Sequence, residues 1–355
     1  MNIEQWLARS FPGSDFSLAP ASADASFRRY FRVNFTDGEK REKLAGPPQE
    51  FLGPLGGEPS AASFSGGSLI VMDAPPAHED IRPWLRVQRL FHDAGVHVPE
   101  VLASDIDQGF LLLSDLGATT YLANLTDTNA DDHYRAAIDA LIRIQLASRP
   151  DQLPAYDRDL LKRELDLFPD WYLAKHARFD LSDGQRSELE TVFAKILAIN
   201  LAEPAVYVHR DYHSRNLMVS DPNPGIVDFQ DAVYGPITYD LASLFKDAYV
   251  SWPEERTLDW LIRYWQQARQ AGLPVRADFA DFHRDYEWMG VQRHVKVLGI
   301  FARLYHRDGK DGYLKDMPLV ALYLRRACER YRELAPLLRL LDQIEDRQAK
   351  VGYTF

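Results

Sequence analysis

Residues 206–244 run VYVHRDYHSRNLMVSDPNPGIVDFQDAVYGPITYDLASL. Within them His209-Arg210-Asp211 leaves an apolar run that reads as a strand, Asn216 follows five positions after Asp211, and Asp228 closes another apolar run twelve positions after Asn216. Phosphoryl transfer from a nucleotide needs a carboxylate to orient and deprotonate the attacking hydroxyl, plus oxygen ligands for the magnesium that bridges the phosphates. Asp211 suits the base. Asn216 and Asp228 suit the metal, because Mg²⁺ takes a few hard oxygen ligands and fills its other positions with water and phosphate. His209 reads as a support of the loop backbone. Two other readings use the same residues. Asp and Asn are common turn residues at strand ends for local hydrogen-bonding reasons, and His209, Asp211 and His213 form an H-x-D-x-H set with the character of a metallohydrolase site. The spacing of all three polar positions between apolar strands favours catalysis over turns, and no further His-rich cluster extends the metal reading.

Outward from this stretch the chain changes character. Phe27 to Phe35 and Ser68 to Asp73 are rich in aromatic and β-branched residues and read as strands. Between them, Gly38 to Gly67 is Gly- and Pro-rich with little periodicity and reads as an inserted loop. Asp80 to Ala94 has helical spacing, and Val101 to Leu102 and Phe110 to Leu113 read as strands. The turn Ser114 to Gly117 is the expected lobe boundary. Beyond it Asp131 to Ser148, Arg158 to Ala177 and Asp183 to Ala202 read as helices, and helices return from Pro236 onward. Only three short strands interrupt them: Val206 to His209, Leu217 to Val219 and Gly225 to Asp228. The expected fold is therefore α+β in two lobes: a small sheet-bearing N-lobe over 1–115, carrying the 38–67 insertion, and a larger, mainly helical C-lobe over 116–355.

Composition narrows the class. At roughly 150 residues per domain, 355 residues make about two domains or two lobes. Hydrophobic residues at 46% and charged residues at 26% describe an ordinary globular chain. Forty-one basic against 52 acidic residues give a net charge of −11, which argues against nucleic acid as a partner, since phosphate contacts need clustered Lys and Arg. No stretch approaches the roughly 18 uncharged apolar residues of a membrane helix. The lone Cys328 and a start without the flank and apolar run of a signal peptide make the cytoplasm the expected compartment.

The catalytic stretch resembles the H-x-D-x-x-x-x-N loop and Asp-Phe motif of the kinase superfamily. Asp228 and Asp240 are only twelve residues apart, too few for the activation segment of a protein kinase. The better likeness is to the aminoglycoside phosphotransferase-like family of small-molecule kinases, and within it to the bacterial anomeric N-acetylmuramate and N-acetylglucosamine kinases. DASFRRYFRV at 24–33, VMDAPP at 71–76, FLLLSDLG at 110–117 and GVQRHVKVLGIFARLYHRDGK at 290–310 carry the likeness beside the catalytic stretch. The resemblance implies a two-lobe kinase-like fold that transfers the γ-phosphoryl of MgATP to the anomeric hydroxyl of a small sugar. It makes Asp211 the base, Asn216 and Asp228 the magnesium ligands, and Asp240 a structural support of the catalytic loop. It places Ser26 and Arg28 over the phosphates and Ser114, Asp115 and Leu116 at the adenine hinge. The chain departs from the wider pattern in one respect: SLIVMDAPP has no Lys where kinases carry their phosphate-pairing one. Arg28 or Arg32 could substitute. A nucleotide-binding pseudokinase, and a kinase for an aminoglycoside or choline-like alcohol, remain open alternatives.

For the sugar, His213, Arg215, Gln230 and Asp231 flank the base and are candidate contacts by position. Arg293, His294 and Lys296 interrupt a run from Trp288 to Phe301 that is apolar almost all round, so they either pair with carboxylates or line a polar cleft, where Arg293 and His294 would suit an anionic sugar. Trp252, Trp260 and Trp265 stand at helical spacing, as core residues do.

Overall fold

The computed structural model describes residues 2–22, 27–35 and 68–352; Ser26 and the 38–67 insertion lie outside the described residues. In chain order the elements are α1 (Ile3–Ser10), β1 (Phe16–Ser22), β2 (Arg29–Phe35), β3 (Ser68–Asp73), α2 (Arg82–Asp93), β4 (Val101–Asp105), β5 (Phe110–Ser114), α3 (Tyr121–Asn124), α4 (Ala130–Leu146), α5 (Arg158–Leu167) and α6 (Asp183–Asn200). They continue with β6 (Ala205–Val208), β7 (Leu217–Met218), β8 (Gly225–Ile226), β9 (Val233–Pro236), α7 (Tyr239–Phe245), α8 (Glu254–Gln270), α9 (Phe279–Asp308), α10 (Met317–Arg330) and α11 (Ala335–Gly352). The chain divides into two compact units, Met1–Asn124 with Leu217–Asp231, and Leu125–Asn216 with Ala232–Phe355.

The first unit is built on an antiparallel sheet of order β1-β2-β3-β5-β4. Strand alternation gives it two faces. Val33, Leu69, Val71, Phe110 and Leu112 pack one face against Trp6 and Leu7 of α1. Helix α1 is started by Asn2, whose side chain accepts from Gln5 N while the Gln5 side chain reaches back, a reciprocal cap. Strand β1, unread in the sequence, carries Pro20 and survives because it is an edge strand, where a missing N–H breaks no ladder. The opposite face presents Arg32, Ile70, Met72, Leu111 and Leu113 by the same alternation. The β7–β8 hairpin joins this unit through bridges from His97 to Gly225 and from Thr120 to Met218. Beyond β8, Phe229 is fully buried with its ring 5.1 Å from Trp84 and 5.8 Å from Phe91, both on α2.

The second unit is helical. Its longest element, the thirty-residue α9, is capped by the Asp278 side chain on the N–H groups of Ala280 and Asp281 and ends at Gly309 in the left-handed conformation. The helix is buried on almost every side from Asp285 to Leu298, charged residues included. It approaches α5 closely at Gly299, where a Cβ would stand 2.5 Å from the Leu167 carbonyl carbon. The single helix expected over Arg158–Ala177 changes winding at Phe168 and continues to His176 as a π-helix, since Pro169 has no N–H for a regular turn. The β6–β9 ladder pairs Val208 with Val233 and Ala205 with Pro236. Trp260 is buried, stacked on Tyr134 at 4.0 Å between centroids, with Trp252 edge-on to both, so these tryptophans build core.

Glu203, at the turn before β6, accepts from Thr238 N at 3.1 Å and Thr238 Oγ1 at 2.7 Å, while its Oε1 is buried without a hydrogen bond. Burial pushes its carboxyl up to about 8, against the pull of the Thr238 bonds. Between the ordinary Glu value and about 8 the folded state binds a proton that the unfolded state has lost, so stability declines with rising pH across that window. Glu203→Gln removes the titration. The stability difference, variant minus wild type, read from denaturant melts, should grow from pH 5 to pH 8 by at most about 1.4 kcal/mol per pH unit and level off above it. A difference independent of pH would show that Glu203 is ionised in the fold.

Candidate active site

Strand β6 ends at Val208 and delivers His209 to Asn216 as a tightly turned loop. Arg210 adopts φ 76°, a left-handed conformation that costs a non-glycine residue of order 1 kcal/mol or more. The surroundings determine it from several sides. The Asp240 carboxylate on α7 accepts from His209 N at 2.7 Å and Arg210 N at 3.0 Å. The Arg210 carbonyl accepts from Arg293 Nη1 at 2.8 Å. Its guanidinium pairs with Glu164 of α5, which also receives Tyr156 OH, Gln292 Nε2 at 3.1 Å and Lys296 Nζ at 2.9 Å. Asp240 is wholly buried, and burial raises its carboxyl to about 7 in spite of the two N–H donors.

Asp211 is next in the loop, its N–H donating to His209 Nδ1 at 3.2 Å, and its side chain is 44% exposed. Burial of the surrounding loop acts to raise its pKa, but the charges of Lys296 and then Arg293, whose Nη1 is 3.8 Å from Asp211 Oδ1, outweigh it and hold the carboxyl far below the usual range. Asn216 Nδ2 donates to the Asp211 carbonyl at 3.0 Å, which fixes which end of its amide is the oxygen. Asp247, unread in the sequence, holds the loop's far side by accepting from Ser214 N at 2.9 Å.

Asp228 belongs to the first unit. Strand β8 ends at Ile226, two residues short of the expected end, because Asp228 takes φ 62° and turns the chain out of the ladder. The buried Phe229 anchors that turn on α2, and Gln230 Nε2 donates to Asp228 Oδ1 at 2.8 Å and to Asp231 at 3.4 Å.

The remaining candidates have these surroundings. His213 is buried with its ring 5.3 Å from Tyr249, and burial lowers its pKa, favouring the neutral imidazole. Arg215 lies 3.7 Å over the Tyr249 ring and 3.9 Å from Asp316. Arg293 is committed to the Arg210 carbonyl, and His294 stacks on Tyr323 with Nε2 3.4 Å from the Lys246 carbonyl. Ser114 pairs with Glu100 through both its N–H and its Oγ. Asp115 accepts from Arg32, Ser68 Oγ and Gly117 N, and although burial works to raise its pKa, these donors leave it lowered. Leu116 is buried, and Arg28 meets Glu79 at 3.4 Å. Among the described residues no three His, Cys, Asp or Glu side chains gather as a metal site, and the H-x-D-x-H set does not converge, His209 being turned onto its own loop. Glu164, Asp247 and Lys296 carry the loop from distant segments, and only the charged interruption at Lys296 hinted at any of them.

The pairing of an H-x-D-x-x-x-x-N loop with an anchored Asp-Phe turn is that of a phosphotransferase. The chain belongs to the phosphotransferase enzyme family, whose pattern matches residues 56–279. It is 45% identical over 360 residues to the N-acetylmuramate/N-acetylglucosamine kinase of Neisseria meningitidis serogroup B, covering 100% of this chain and 99% of that one. It is 49% identical over 327 residues to the kinase of the same name in Pseudomonas aeruginosa, covering 92% and 88%. Among solved structures, an ADP-bound aminoglycoside phosphotransferase matches 90% of this chain and 97% of its own with a TM-score of 0.57 at 13% identity, which shows a shared kinase-like fold.

The loop geometry rests on Asp240. Asp240→Asn keeps one acceptor but turns an amide N–H toward a backbone N–H, and a buried donor left unsatisfied costs about 1–3 kcal/mol. The expected result is a melting temperature lowered by a few degrees and kcat lowered about tenfold or more. Wild-type values of both in purified Asp240→Asn would show that Glu164 and Arg293 hold the loop without it.

Proposed function

We propose that this protein transfers the γ-phosphoryl of MgATP to the anomeric hydroxyl of N-acetylmuramate and N-acetylglucosamine, giving the sugar 1-phosphates. The observation that carries the reading is full-length identity of 45% to an N-acetylmuramate/N-acetylglucosamine kinase, and the H-x-D-x-x-x-x-N spacing of Asp211 and Asn216 with Asp228 beyond it supports the reading. Cytoplasmic work suits an ATP-using enzyme whose single cysteine is buried and free.

In this reading Asp211 orients the sugar hydroxyl. Its carboxyl is held ionised by Lys296 and Arg293, so it is a ready acceptor throughout the neutral range and a weak base. That combination fits a loose transition state, in which the protein mainly positions the nucleophile. Asn216 and Asp228 supply one amide oxygen and one carboxylate, a hard donor set that suits magnesium and leaves room for phosphate oxygens. When bound, that ion neutralises charge on the phosphates. The Asn216 amide is turned for the task by its bond to the Asp211 carbonyl, so base and ligand are fixed by one loop.

Asp211→Asn should leave MgATP affinity near normal and lower kcat by roughly 10²-fold or more. Coupled-assay kinetics on both sugars measure it, and near wild-type kcat in a folded variant would remove Asp211 from the chemistry. Asp228→Ala should instead abolish magnesium-dependent nucleotide binding in calorimetric titration, whereas unchanged MgATP affinity would move the metal site elsewhere.

A further inference from the structure

The two sugars of the proposed reaction differ in one charge: N-acetylmuramate carries a lactyl carboxylate on the ether oxygen at C3, where N-acetylglucosamine has a hydroxyl. A cation within reach of the sugar that meets Asp211 tells them apart. Around the loop, Arg293 and Lys296 have side chains only 6% exposed, and both are committed, Arg293 to the Arg210 carbonyl and Lys296 to Glu164 and, at 2.9 Å, to the Tyr239 hydroxyl. His294 is buried, and burial lowers its pKa to about 3, so the ring is neutral. Arg210 pairs with Glu164 and Lys246 with Glu287.

Arg215 has a different setting. It follows Asp211 in the same loop, its side chain is 35% exposed, and its guanidinium carbon lies 3.7 Å from the centroid of the Tyr249 ring and 5.8 Å from that of Tyr313. Its carboxylate neighbour, Asp316 Oδ2, is 3.9 Å away, beyond hydrogen-bond range, and among the described residues the guanidinium makes no hydrogen bond. A guanidinium that rests on a ring face keeps its in-plane N–H donors for a second partner. Tyr313 and Asp316 come from the 3₁₀ turn Asp311–Asp316 between α9 and α10. A single buried carboxylate places both the arginine and its shelf: Asp247 accepts from Ser214 N, next to Arg215, and from Tyr249 N, each at 2.9 Å. His213 packs edge-on to the same ring at 5.3 Å, and its Nδ1 is buried without a hydrogen bond. The charges of Arg215 and Asp211 both act on the Tyr249 hydroxyl, which sets arginine and base around one ring.

We propose that Arg215, seated on Tyr249, pairs with the lactyl carboxylate of N-acetylmuramate and sets the preference between the two sugars, with Tyr249 as its positioning residue. A guanidinium–carboxylate pair is charge-assisted and fits a planar fork of donors, so it strengthens binding of the one sugar that carries the anion. Asp316 offsets part of the arginine's charge from a distance without taking its donors. Anion recognition thus falls to the loop itself rather than to Arg293 and His294 on α9. The assignment rests on the sugar-kinase reading above.

Coupled-assay kinetics on the full chain test it, read as the ratio of kcat/KM for N-acetylmuramate to that for N-acetylglucosamine. Arg215→Met should lower this ratio about tenfold or more, mainly through KM for N-acetylmuramate, and Arg215→Lys should recover part of the loss. The methyl ester of N-acetylmuramate keeps the lactyl group and loses its charge; the wild type should favour the acid over the ester about tenfold, and Arg215→Met should treat the two alike. Tyr249→Phe should keep the ratio, whereas Tyr249→Leu should lower it and add little in the Arg215→Met background, because the ring acts through Arg215. Equal losses on both sugars in Arg215→Met, or a rise confined to KM for ATP, would overturn the proposal, as would a wild type that does not distinguish acid from ester. If Arg215→Met does not fold, a wild-type ratio in both Arg215→Lys and Tyr249→Leu overturns it instead. A wild type that binds MgADP but phosphorylates neither sugar removes the substrate reading and this assignment with it. One that phosphorylates both, with the ratio unchanged in Arg215→Met, removes this assignment alone.

Discussion

One buried carboxylate, Asp240, holds the His209–Asn216 loop in shape by accepting the N–H groups of His209 and Arg210. Without those acceptors, the left-handed backbone at Arg210 would keep only the Arg293 bond to its carbonyl and the Glu164 pair on its guanidinium to offset its cost. The expense of burying the carboxylate is visible in its raised pKa, caused first by burial and then opposed by its donors. The turn is held by hydrogen bonds and ion pairs that reach it from α5, α7 and α9.

Around that turn the protein concentrates positive charge that its composition conceals. The chain carries a net −11, yet α9 delivers Arg293 and Lys296 to the inner side of the loop. Glu164 neutralises part of that charge by pairing with Lys296 and Arg210, and the remainder acts on Asp211. A cation buried next to a carboxylate costs desolvation that only close, well-bonded partners repay. Here the two cations also hold the Asp211 carboxyl well below the usual carboxylate range.

The same economy governs the first unit, where a missing lysine coincides with arginines sorted by strand parity. Arg29 and Arg32 are each spent on a neighbouring aspartate, Asp73 and Asp115. Strand alternation puts Arg29 on the face packed against α1 and Arg32 on the other, and each finds its aspartate there.

Local spacing by itself determined the strands β2, β3 and β5 and most helices of the second unit, because periodic burial is written over a few consecutive positions. It passed over α1, β1 and β9: α1 is short, β1 contains a proline tolerated at a sheet edge, and β9 is a four-residue pair for β6. Tertiary structure alone decided that Arg293 braces the Arg210 carbonyl, that Glu164 and Asp247 support the loop, and that Leu217–Asp231 joins the first unit. The reason is sequence distance: Glu164 and Lys296 are 132 positions apart and meet only where α5 packs on α9, and no local pattern encodes a partner that far along the chain.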